Sequence, residues 1–187
     1  MTAPAGLDVG IAVAGASPMG SAKRLLDAET GGGFITATAG QMTPMPVDDA
    51  TLASAAKQYG LYDFQADGVR HLLGNSSALL GDDMGLGKSR QAVVAAHLAA
   101  GEGRVLVVCP ASLRINWERE VLAVLPGQLV AQVGEASLGV TTASRWHVCS
   151  YERLGRLVRD TSQHYAVMVV DEAHYLKEHD VNRTRNA

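Results

Sequence analysis

A chain of 187 residues that is 47% hydrophobic and 19% charged can bury a sizeable core, which excludes the disordered and fibrous classes. Sixteen basic against nineteen acidic residues leave a net charge of −3, so no global basic field exists and any nucleic-acid surface must be local. No run reaches the roughly 18 apolar residues needed to span a bilayer, so no membrane partner is expected.

Residues 1–46 are rich in Ala, Gly, Thr and Pro, with GGG at 31–33 and MTPMP at 42–46, and hold one helix-like patch, SAKRLLDAE. That texture predicts a flexible or weakly structured N-terminal arm. Within it, VGIAVAGAS superficially resembles the apolar part of a signal peptide. With Asp8 just upstream and no basic lead-in, it is not read as one.

From Val47 the punctuation changes. DDATLASAAKQYG has an acidic start, an alanine-rich middle and a glycine stop, which predicts a short helix, and DFQADGVRHLLG predicts a second. Short apolar runs then alternate with helical patterns: SALLG, SRQAVVAAHLAA, RVLVVCP, SLRINWEREVLAVL, LVAQV, WHVCS, ERLGRLVRD and AVMVVDEAH. Alternation of this kind predicts an α/β fold, a mainly parallel sheet covered by helices on both faces. In SLRINWEREVLAVL, Leu113, Trp117, Val121 and Leu125 recur every four residues and form the stripe that faces the sheet.

Cys109 and Cys149 lie inside apolar runs without CxxC spacing, as expected of buried thiols in a reducing compartment. His174 and His179 are five residues apart, which on a helix separates them by about 140°, so they are not read as a metal pair.

The stretch GDDMGLGKSRQ, residues 81–91, places three glycines and a lysine between a buried strand and a helix. Glycine costs backbone entropy, and it is used where the chain needs positive φ or must approach another group closely. In a strand-loop-helix setting that group is a phosphate. Gly85 and Gly87 let backbone N–H groups turn toward a β-phosphate, Leu86 lies between them, Lys88, read as exposed in a loop, reaches the β/γ oxygens, and the Ser89 hydroxyl can ligate Mg²⁺. The pattern GxxxxGK[ST] expects glycine where this chain has Asp82, so the loop alone is a partial match.

A second motif completes it. AVMVVDEAH delivers two carboxylates at the C-terminal end of an apolar strand, where ligands sit in open α/β sheets. Asp171 can hold Mg²⁺ through water, and Glu172 can orient or deprotonate an attacking water.

LYDFQADGV, DDMGLGKSRQ, VLVVCPASLRINWEREV, SYERL and VVDEAHYLK, in that order, resemble the first RecA-like lobe of the Swi/Snf helicase-like ATPases of helicase superfamily two. The wording ASLRINWE and DEAHYLK is similar to the annealing-helicase branch. The resemblance covers about residues 59–185. Asp is usual in that family at the position of Asp82, whereas Asp83 stands where Glu is usual.

The resemblance implies a RecA-like P-loop NTPase lobe over residues 47–187, preceded by the arm 1–46. It implies ATP and Mg²⁺ as cofactors, with Gln65, near Leu61 and Phe64, reading adenine. Gly85, Leu86, Gly87, Lys88 and Ser89 would form the phosphate loop, and Asp171, Glu172 and His174 the DEAH box, with His174 coupling the nucleotide to neighbouring motifs. Pro110 and Ser112 correspond to a motif that touches the phosphate backbone of double-stranded DNA, and Ser150 and Tyr151 to a later motif near the same track. Ser112 is equally expected to cap its own helix. Arg114, Arg119, Arg153 and Arg156 are read as solvated faces before phosphate contacts.

Family members continue into a Thr-rich motif and a second RecA-like lobe that carries arginine fingers; this sequence stops before either. The lobe is therefore expected to be incomplete and inactive alone, with the second lobe supplied in cis by a longer parent or in trans. The implied function is the ATP-binding lobe of a DNA-dependent ATPase or translocase that moves on or remodels duplex DNA. A stand-alone nucleotide- or DNA-binding module without turnover is the alternative, and a DEAD-box-like RNA helicase lobe fits the motif wording less well. The expected location is cytoplasmic, nucleoid or nuclear, and not secreted.

Overall fold

The computed structural model describes residues 11–15, 47–75, 77–82, 85–134, 143–160 and 165–172. Six strands form one sheet: β1 (Ile11–Gly15), β2 (Ser77–Leu80), β3 (Val105–Cys109), β4 (Val130–Gln132), β5 (Trp146–Ser150) and β6 (Val167–Asp171). Their order across the sheet is β2-β1-β6-β3-β5-β4. The strands β4, β5, β3 and β6 are mutually parallel. β1 pairs antiparallel with both β2 and β6, so β2 also runs in the common direction.

Every residue of β3, β5 and β6 is buried, as expected of strands covered on both faces. Alternation decides which face each side chain joins. Val105, Val107, Val167 and Val169 join the larger core, formed with α1 (Asp49–Tyr59), α2 (Asp63–Leu73), α3 (Lys88–Ala100) and α4 (Arg114–Val124). Leu106, Val108, Met168 and Val170 join a second core on the other face, under Leu154 and Leu157 of α5 (Tyr151–Asp160).

The helix punctuation holds at α1, where Asp48 accepts from the Thr51 N–H at 2.8 Å and Gly60 ends the helix. The stripe expected on α4 is also present: Trp117, Val121 and Leu125 are buried in the larger core, and Leu113 packs against it.

Two readings change. Ser112 does not cap a helix. The Leu113 N–H bonds to the Pro110 carbonyl at 2.9 Å, which closes a short 3-10 turn over Ala111–Leu113, so α4 begins only at Arg114. Within the segment expected to be an arm, Ile11–Gly15 form β1 in the interior of the sheet.

The placement of β1 is testable. Val13 pairs with Ala78 on one side and Val169 on the other. Val13→Pro removes an N–H from an interior ladder and should destabilise the chain by about 1–3 kcal/mol, the cost of stranding a buried polar group. Urea denaturation with unchanged stability in the variant would show that residues 11–15 contribute nothing to the sheet.

Candidate functional site

The phosphate-type loop leaves β2 at Leu80 and enters α3 at Lys88. Gly85 has φ +85° and Gly87 has φ +71°, both in the left-handed region. At Gly87 a Cβ would also lie 2.5 Å from Gln65 Nε2, so the loop needs glycine there for space as well as for dihedral.

Two glutamines hold the loop. Gln65 of α2 donates from Nε2 to the Leu86 carbonyl at 3.1 Å, while its Oε1 accepts from the Tyr62 N–H at 3.1 Å. Gln91 of α3 donates to the same Leu86 carbonyl at 3.2 Å and lies 3.5 Å from Asp82 Oδ2. Gln65 therefore uses both ends of its amide within the protein. Tyr62 and Phe64, exposed and stacked with ring centroids 5.9 Å apart, flank it.

Lys88 is not exposed in a loop, contrary to the sequence reading. It is the first residue of α3, only 7% exposed, and its Nζ donates to the Asp82 carbonyl at 2.5 Å. The side chain turns back to the start of the loop, at the Asp82 carbonyl.

Asp171 ends β6 and is 6% exposed. Its Oδ2 accepts from the Trp117 indole N–H at 2.7 Å, and its backbone carbonyl accepts from the Tyr151 hydroxyl. Glu172 follows at φ +55°, the only non-glycine residue with positive φ among the described residues. A cleft of about 350 Å³ brings these parts together, lined by Gly85, Gly87, Lys88, Ser89, Asp171 and Glu172 among others. Arg90 and Glu120, 3.6 Å apart, link α3 to α4 at its rim.

The donor set suits a hard cation. Ser89 offers a hydroxyl and Asp171 a carboxylate into the same cleft, and Mg²⁺ typically takes one or two such protein oxygens and completes its shell with phosphate and water.

The structure collects Gly85, Gly87, Lys88, Ser89, Asp171 and Glu172 at one cleft, with Leu86 and Gln65 behind the loop. Pro110 and Ser112 stand on the turn before α4, with Ser112 exposed. Ser150 and Tyr151, expected near a DNA track, are each 2% exposed; Tyr151 points inward to Asp171, so neither side chain offers a surface to a duplex. Arg114 and Arg153 both donate to the Val133 carbonyl, at 3.2 and 2.8 Å, and are structural ties. Arg119 is exposed. His174 and His179, and the side chain of Arg156, lie outside the described residues.

Cys109 and Cys149 are buried thiols, as expected. Burial pushes each up to about 12, with the Asp171 charge adding to the effect at Cys109, so neither is a thiolate at neutral pH.

Sequence reasoning missed two residues. Gln91 was detectable as a polar residue amid the apolar positions of α3. The role of Trp117 was hidden, because its position in the apolar stripe explains its burial but not where its N–H goes.

The family model for the SNF2-related domain matches residues 62–187. The chain is 32% identical over 136 residues to the SWI/SNF-related matrix-associated actin-dependent regulator of chromatin subfamily A-like protein 1 of Xenopus tropicalis, covering 71% of this chain and 14% of that protein. It is 30% identical over 138 residues to the DNA annealing helicase and endonuclease ZRANB3 of Bos taurus, covering 67% and 13%. Against Helicase swr1 of Schizosaccharomyces pombe it is 35% identical over 121 residues, covering 55% and 9%. The chain thus spans about one seventh or less of these three relatives. The chain belongs to the SNF2-related family of Swi/Snf-type helicase-like ATPases, on the annealing-helicase branch.

Proposed function

We propose that the chain is the ATP-binding lobe of a DNA-dependent ATPase that uses hydrolysis to move on or remodel duplex DNA. The observation that carries this reading is the meeting of Lys88 and Ser89 with Asp171 and Glu172 in one cleft at the carboxyl ends of β2 and β6.

In this reading the phosphate chain of ATP lies over the start of α3, where backbone N–H groups and the helix dipole favour negative charge. An ammonium group has three donors, so Lys88 can turn onto the β/γ oxygens while its stem stays buried. The base stacks near Tyr62 and Phe64, beside the second N–H and second lone pair of the Gln65 amide. Ser89 and Asp171 would hold Mg²⁺, which would supply charge neutralisation at the phosphates. Glu172 orients the attacking water and takes its proton.

The exposed turn carrying Pro110 and Ser112 is the proposed contact with the phosphate backbone of DNA. The second partner is a RecA-like lobe, in cis or in trans, that supplies arginines to the facing side of the cleft. The setting is intracellular.

Lys88→Met keeps the buried stem and removes the charge. Binding of a fluorescent ATP analogue should fall at least about tenfold, since charge-assisted contacts are the strong ones, with the fold intact by circular dichroism. Equal affinity in a folded variant would sink the phosphate-loop assignment.

In a two-lobe parent, Glu172→Gln should trap bound ATP, lowering turnover at least about a hundredfold while nucleotide binding persists. Turnover at the parent rate would reduce Glu172 to a structural residue.

The 187-residue polypeptide alone should bind Mg·ATP weakly and hydrolyse it negligibly, because missing transition-state arginines typically cost about 10³–10⁵ in rate. Phosphate release is to be measured with and without duplex DNA. Robust DNA-stimulated turnover by this polypeptide would overturn the need for a second lobe.

A further inference from the structure

Trp117 lies one turn inside α4, 3% exposed, and its indole N–H reaches Asp171 across 54 residues of sequence. Filling the core does not require that bond. Trp146 makes the comparison within the same chain: it is fully buried in the same core, and its Nε1 has no hydrogen-bond partner among the described residues. One tryptophan is packed as bulk, whereas the other donates to a carboxylate at 2.7 Å, the short end of N–H···O distances.

The bond falls on the carboxylate at the cleft. Beside the larger cleft lies a second cavity of about 180 Å³, lined by Ser89, Asn116, Trp117, Glu120 and Asp171 among others. The indole thus stands on the same side as Ser89, whose hydroxyl is the other oxygen donor proposed for the cation. A carboxylate with Oδ2 held by a rigid, buried donor keeps one rotamer, and its second oxygen then has a fixed direction. The Tyr151 hydroxyl fixes the backbone carbonyl of the same residue from the other face of the sheet.

We propose that Trp117 is a positioning residue for Asp171, setting the direction in which the carboxylate meets the Mg²⁺ of a bound nucleotide; this rests on the nucleotide-site reading above. Its indole N–H, more than its bulk, is the functional group. Loss of that donor weakens the contribution of the metal to nucleotide binding and leaves metal-independent binding alone.

The test uses the 187-residue chain, a fluorescent ADP analogue, and titrations in Mg²⁺ and in EDTA. In the unmodified chain Mg²⁺ tightens binding, and Asp171→Asn removes that gain. Trp117→Phe should reduce the gain by about tenfold, the scale typical when a partner behind a metal ligand is lost, while affinity in EDTA stays the same. A full gain in Trp117→Phe, with the gain abolished in Asp171→Asn, overturns the proposal and leaves the nucleotide site standing. A gain untouched by Asp171→Asn overturns the nucleotide-site reading and the proposal with it.

Should Trp117→Phe fail to fold, the unmodified chain gives a second measurement. Its two tryptophans yield two indole N–H signals in a ¹⁵N-correlated NMR spectrum, and the one displaced in Asp171→Asn belongs to Trp117. Mg²⁺ with ADP should move that signal and leave the other. If it stays in place while Mg²⁺ tightens binding, Trp117 does not position the carboxylate.

Discussion

The site depends on one spacing within the sheet. Ile11 of β1 pairs with Leu80 on one side and with Asp171 on the other, so the last residue of the strand that enters the loop and the carboxylate at the end of β6 lie level in the sheet. They are two strand widths apart, about 9.5 Å. Removal of the intervening strand would either bring β2 against β6 and close that interval or leave both edges unpaired. The loop from β2, the start of α3 and the end of β6 share one cleft because this interval is filled by a strand.

That constraint was the least legible part of the sequence. IAVAG is five small, apolar residues in a glycine- and alanine-rich stretch, with no turn signal or period to separate it from an arm. Its identity as a strand comes from partners near the middle and the end of the chain, and such non-local pairing leaves little local mark. By contrast, β3 and β6 were legible because strands buried on both faces are near-continuous apolar runs, and α4 because its stripe repeats every four residues. At the site, residue types and spacing revealed which groups converge. They could not reveal that Lys88 turns back to the Asp82 carbonyl, or that Tyr151 bonds to Asp171 and two arginines bond to Val133, since those outcomes depend on contacts across the fold.

Two elements that the sequence associated with DNA both reach Asp171. α4, which follows the exposed turn at Pro110–Leu113, reaches the Asp171 side chain through Trp117; α5, which starts directly after Ser150, reaches the Asp171 backbone through Tyr151. One element lies on each face of the sheet.

Glu172, the residue after Asp171, has a left-handed backbone. A left-handed backbone costs a residue with a Cβ about 1–3 kcal/mol and persists only where surrounding contacts determine it. Directly before Glu172, Asp171 is fixed through its side chain by Trp117 and through its carbonyl by Tyr151, which sets the point at which the chain leaves the sheet. Glu172 lines the cleft together with Lys88 and Ser89. In the proposed reading the two buried aromatic donors have a role beyond stability: they hold two successive carboxylates, one for a cation and one for water, in an arrangement that the local backbone alone disfavours.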